Sequence, residues 1–90
     1  MNNYISLSSL SMDLKRAALG FYKGSDKMAE RFWQEAILRR GEIDKSNVPV
    51  YVANLLDSLE HLTQIADKKK AAEDILLYSV LFQNAALKLK

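Results

Sequence analysis

Apolar residues recur at intervals of three and four in four separate stretches of this chain, and that spacing suits helices and little else. No stretch alternates polar with apolar residues long enough to make a strand. Punctuation is also sparse. Three glycines and one proline serve 90 residues, so the breaks between helices have few places to fall.

The first stripe is Leu7, Leu10, Leu14, Ala17 and Phe21. The spacing predicts a helix that starts between Ser6 and Ser11, capped by one of the serines there, with Asp13 in its first turns. Gly24 is placed to end it as a residue in the left-handed conformation. Ser25 then suits the N-cap of a second helix, with Asp26 in its first turn. Ala29, Phe32, Trp33, Ala36 and Ile37 form its apolar face, Arg39 and Arg40 favour its C-terminal end, and Gly41 closes it. So short a connection predicts an antiparallel hairpin of the two helices.

Residues 42–47 read as a loop, with Ser46 or Asn47 capping a third helix and Pro49 in its first turn. The third stripe is Val48, Val52, Leu55, Leu59, Leu62 and Ala66. The fourth is Ala71, Ile75, Tyr78, Phe82, Ala85 and Leu89. No glycine or proline separates them, so one continuous helix from about Pro49 to Leu89 is an alternative. The step of five from Ala66 to Ala71 rotates the apolar face by roughly 140°, which favours a turn. The expected fold is all-α, an antiparallel up-down four-helix bundle forming a single domain over residues 1–90.

The spacing Ala29, Trp33, Ala36 resembles the second helix of a tetratricopeptide repeat. The connection before it is shorter than that repeat requires and no second copy follows. The spacing is therefore read as ordinary hairpin packing, with small residues where the helices touch.

Composition narrows the function mainly by subtraction. The chain is 49% hydrophobic and 27% charged, which suits a folded domain rather than a disordered one. It has no cysteine and no glycine-rich phosphate loop. His61 is the only histidine, with Asp57 one helical turn before it; a zinc site needs three or four protein ligands. Glu60 and His61 are adjacent, so they diverge by about 100° on a helix and make no inward metal pair. The expectation is no enzyme, no metal and no cofactor. A net charge of +2 carries no strong signal for nucleic acid, although Lys68, Lys69 and Lys70 form a basic patch that keeps nucleic-acid association as the alternative reading. No apolar run approaches the roughly 20 residues of a membrane span, and the first residues lack a secretory pattern, so a cytoplasmic protein is expected.

One feature exceeds what a monomeric bundle needs. Beside its core stripe, the fourth segment carries Leu76, Leu77, Val80, Leu81, Ala86 and Leu87. A helix that is apolar nearly all round is buried on more than one side. Leu76, Val80 and Leu87 are accordingly expected to form an interface. The sequence thus points to a small helical interaction module, acting as a homodimer or binding another protein.

Overall fold

The computed structural model describes residues 3–64 and 68–89. Four α-helices follow one another: α1 (Asn3–Tyr22), α2 (Asp26–Gly41), α3 (Val50–Ser58) and α4 (Lys68–Leu89). Short 3-10 segments precede and follow α3, at Lys45–Asn47 and Leu59–Gln64. No strand occurs among the described residues. The expected all-α bundle is what forms, with α1 at its centre, packed along α2 on one flank and α4 on the other.

That central position explains what α1 buries. Leu7, Leu10, Leu14 and Ala17 are fully enclosed, as their spacing requires. So are Ala18 and Ser6, while Ser11, Asp13 and Gly20 are buried with them. A helix flanked on two sides cannot keep a polar half in water. The expected start at Ser6–Ser11 is therefore too late: α1 already runs from Asn3, and both serines are interior residues rather than caps. The Asn3 side chain instead ties this end to the loop after α2. Its Nδ2 donates to the Asp44 carbonyl and its Oδ1 accepts from the Asp44 amide, each at 3.2 Å.

Gly24 ends α1 as expected. Its φ is +73°, the only positive value among the described residues. The Ser25 amide donates to the Gly20 carbonyl and the Gly24 amide to that of Phe21, the two bonds of a Schellman motif. Ser25 occupies the N-cap of α2, but only its backbone takes part; the side chain makes no capping bond. The hairpin is drawn tight at Gly20. A Cβ there would sit 2.7 Å from the Ala29 nitrogen and 2.9 Å from its Cα, closer than packed atoms allow. Gly41 is different: it is the last residue of α2, with ordinary negative φ and open space around it. It is not needed to close the helix.

The α2–α3 connection is built on Asp44, not on Ser46 or Asn47. The Asp44 carboxylate accepts from the Ser46 amide, the Ser46 hydroxyl and the Asn47 side chain. These bonds, the Ser46 hydroxyl first, hold its carboxyl below the usual carboxylate range. Pro49 takes the N-cap of α3, its carbonyl accepting from the Val52 and Ala53 amides. Arg40, expected only to complement the end of α2, reaches across to α3. Its Nε donates to the Leu56 carbonyl at 2.6 Å, one of the carbonyls a helix C-terminus leaves over.

The third stripe holds at Val52, Leu59 and Leu62, which are buried, while Val48 and Leu55 are half-buried against the core. Leu56, outside that stripe, is fully buried. The α-helix stops at Ser58 and gives way to a 3-10 segment, so α-helical bonding does not run unbroken from Pro49 to Leu89. The junction itself, with Ala66, falls at residues outside those described. In α4, Ala71, Ile75, Phe82 and Ala85 are buried as expected, joined by Ala72, Ser79 and Ala86. Tyr78 is half-buried and meets Phe82 edge-on at 6.3 Å. Leu89, expected in the core, is exposed. Trp33 is buried in the same core. Phe32, half-buried at the hairpin, lies beneath the guanidinium groups of Arg16 and Arg31.

The three glycines should therefore separate in a thermal melt. Gly20→Ala forces α1 and α2 apart and should cost about 1–3 kcal/mol. Gly24→Ala should cost about 1 kcal/mol through its left-handed backbone. Gly41→Ala should be neutral or stabilise by up to about 1 kcal/mol. Equal melting temperatures for the Gly20 and Gly41 variants would contradict the close α1–α2 contact.

Candidate interaction surface

Two serines lie where α1 meets α4. The Ser11 hydroxyl donates to the Ser79 carbonyl at 2.7 Å, and the Ser79 hydroxyl donates to the Leu76 carbonyl at 2.6 Å. Each serine satisfies its own buried oxygen, so the two helices can approach without an unpaired polar group between them. Short residues along the contact leave a groove above it of about 490 Å³. Tyr4, Ser8, Met12 and Lys15 line it from α1, and Leu76, Val80, Gln83 and Leu87 from α4.

All three interface residues expected from the sequence line this groove, but they are not equivalent. Val80 and Leu87 are 46% and 58% exposed. Leu76 is half-buried and packs against the core cluster. A charge at Leu76 would therefore disturb the fold as well as any surface contact. Leu77, at 57% exposed, lies further round the same helix, and Met12, at 53%, stands on the α1 side of the groove. The apolar surface is broader than the three residues alone.

The other candidates disperse. Lys69 and Lys70 are exposed in the first turn of α4, and Lys70 Nζ lies 3.4 Å from the Asp74 carboxylate. The side chain of Lys68 lies outside the described residues. His61 sits exposed on the 3-10 segment after α3. Asp57 does not serve it, because its carboxylate takes a hydrogen bond from Lys45 and faces Arg40 at 3.9 Å. The Lys45 bond is the main reason that carboxyl is held below its ordinary range. Among the described residues, no three histidine, cysteine or acidic side chains come together to hold a metal, and no helix is long and apolar enough to cross a membrane.

Asp13 is a site the sequence reading missed. Expected in the first turns of α1, it lies in the middle of that helix, turned towards α2. Arg39 stands 4.0 Å away and Arg16 3.8 Å. Burial nevertheless raises its carboxyl above the ordinary value; Arg39 and Arg16 pull it back, and Glu35 adds to the rise. The signal was present: Leu10, Asp13, Ala17 and Gly20 share one helical face, so a buried Leu10 and Ala17 imply a buried Asp13. Asp13 is thus a charge buried between the hairpin helices whose cost Arg39 and Arg16 offset only in part.

Comparison with family models, curated proteins and solved structures finds no match. The surface chemistry alone bears on function.

A raised carboxyl binds its proton more tightly in the folded state than in the unfolded one. Its favourable contribution is fully present below the unfolded pKa and is lost as pH rises through the folded value. Asp13→Asn should therefore melt at a higher temperature than the parent at pH 7, with the gain vanishing near pH 3. A variant that is less stable at pH 7 would mean that the pairing with Arg39 and Arg16 outweighs the cost of burial.

Proposed function

We propose that this chain is a small helical protein–protein interaction module that works as a homodimer in the cytoplasm, without catalysis of its own. The carrying observation is the outer face of α4, where Leu77, Val80 and Leu87 are each about half exposed or more. Fully burying a side chain of this kind is worth about 1.5–3 kcal/mol, so a partner that covers the face gains a substantial part of that several times over. A second copy is the simplest partner, because a two-fold axis buries the same patch twice. The groove beside this face adds Met12 and Tyr4 from α1 to the same apolar surface.

The alternative, nucleic-acid association through Lys68, Lys69 and Lys70, draws less support. Lys70 is engaged with Asp74, and Glu73 stands exposed in the same turn of helix. These acids dilute the field that a phosphate backbone would need.

Sedimentation equilibrium at tens of micromolar should give twice the 10.2 kDa chain mass. Val80→Glu should give the single-chain mass while keeping a helical far-UV spectrum, because Val80 lies outside the core. A monomeric parent protein under these conditions would contradict the reading.

A further inference from the structure

The outer face of α4 carries more than apolar surplus. Glu73, Leu77, Val80, Asn84 and Leu87 follow one another at alternating intervals of four and three, and all five are exposed. That alternation is the period of a coiled-coil seam, and it runs opposite the stripe that α4 buries in its own bundle. Leu76 and Gln83 flank the seam on the side of the α1 groove. Asp74, Leu81 and Lys88 flank it on the other, each one residue beyond Glu73, Val80 and Leu87.

Resting on the homodimer reading, we propose that two copies of this chain pair antiparallel along α4, centred near Phe82, with Leu77 of each copy against Leu87 of the other. Charge decides the direction. In an antiparallel pair the first and fourth positions of the seven-residue repeat in one helix, here Leu77 and Val80, meet the fourth and first of the other, Leu87 and Asn84. Val80 then lies beside the partner's Asn84, Leu81 beside the partner's Leu81, and Asp74 faces the partner's Lys88. By symmetry that opposite-charge contact forms twice. Each group would exchange a contact it makes within its own chain: the Asp74 carboxylate lies 3.4 Å from Lys70, and the exposed Lys88 ammonium rests over the Tyr51 ring at 5.8 Å. Residues 75–89 overlap in this register, a length of about 22 Å, and neither Glu73 nor Lys70 meets its own counterpart.

A parallel pair is the competing arrangement. It would stack Asn84 on the partner's Asn84, and Lys69 would face the partner's Asp74. It would also set Glu73 directly against Glu73 and Lys70 against Lys70. Like charges facing each other in this way are unfavourable, and the antiparallel register removes both.

Single-cysteine variants distinguish the arrangements without background, since the chain has no cysteine. Leu77 and Leu87 are both more than half exposed, so Leu77→Cys and Leu87→Cys should leave the fold intact. Oxidised as a mixture, the two variants should form the mixed disulfide in preference to either self-linked species; oxidised separately, neither should link efficiently. Efficient self-linking of each variant alone would establish the parallel pair and overturn the proposal while leaving the homodimer. Failure of the mixed disulfide, in variants that still sediment as dimers, would overturn the register alone. Monomers of the unmodified chain would overturn the reading beneath it. Asp74→Lys should weaken dimerisation roughly tenfold, and adding Lys88→Asp should restore it. No recovery in the double variant would count against the Asp74–Lys88 pairing.

Discussion

The structure depends on how closely α1 approaches its two neighbours. At one flank Gly20 lies against the backbone of Ala29, where even a methyl group has no room. At the other, Ser11 and Ser79 meet through a hydrogen bond rather than through bulk. Large side chains fill the space between helices, but small ones set the distance. With α1 packed on both flanks, the polar residues on its enclosed faces must be small, paired or costly. Ser11 is paired, Asp13 is held near two arginines, and the Ser6 hydroxyl is buried without a hydrogen-bond partner.

The same closeness shapes the surface. Short residues between α1 and α4 leave a groove, and α4 can turn only part of its circumference towards α1 and the core. A helix this rich in leucine, valine and alanine therefore has apolar side chains left over. The loop after α2 is managed by polar bonds instead. Asp44, Asn3, Arg40, Lys45 and Asp57 tie the loop after α2 to α1 and α3. Those bonds commit Asp57 to Lys45 and Arg40, which leaves it unsuited to acid–base work with His61.

Much of this was legible in the sequence, for a physical reason. Periodicity reports which face of a helix is dry, so the stripes of α1 and α4 were readable, and so was the surplus on α4. Gly24 was readable because few residues tolerate its backbone. What periodicity cannot report is how many neighbours a helix has. Ser6, Ser11 and Asp13 looked like the polar start of a helix, yet they are interior because α1 is central. Nothing in the periodicity marks Gly20, which is required by its close contact with Ala29. Gly41 looked like a stop, yet nothing around it requires glycine. Asp44, whose two oxygens accept three bonds at once, organises the turn before α3, while α3 itself starts from the Pro49 backbone rather than from a Ser46 or Asn47 cap. Leu56 was missed because the third stripe followed a heptad seam, while the helix buries its next turn on Leu56 as well.

The proposed homodimer covers the outer face of α4 and leaves Leu38 and Val50 uncovered. Leu38 and Val50 are 68% and 77% exposed, and they provide an internal control. Hydroxyl-radical footprinting across a range of protein concentrations tests the claim directly. Leu77 and Leu87 should become protected together as concentration rises, while Leu38 and Val50 react equally throughout. Unchanged reactivity at Leu77 and Leu87 over the whole range, or protection of Leu38 and Val50 in their place, would contradict it.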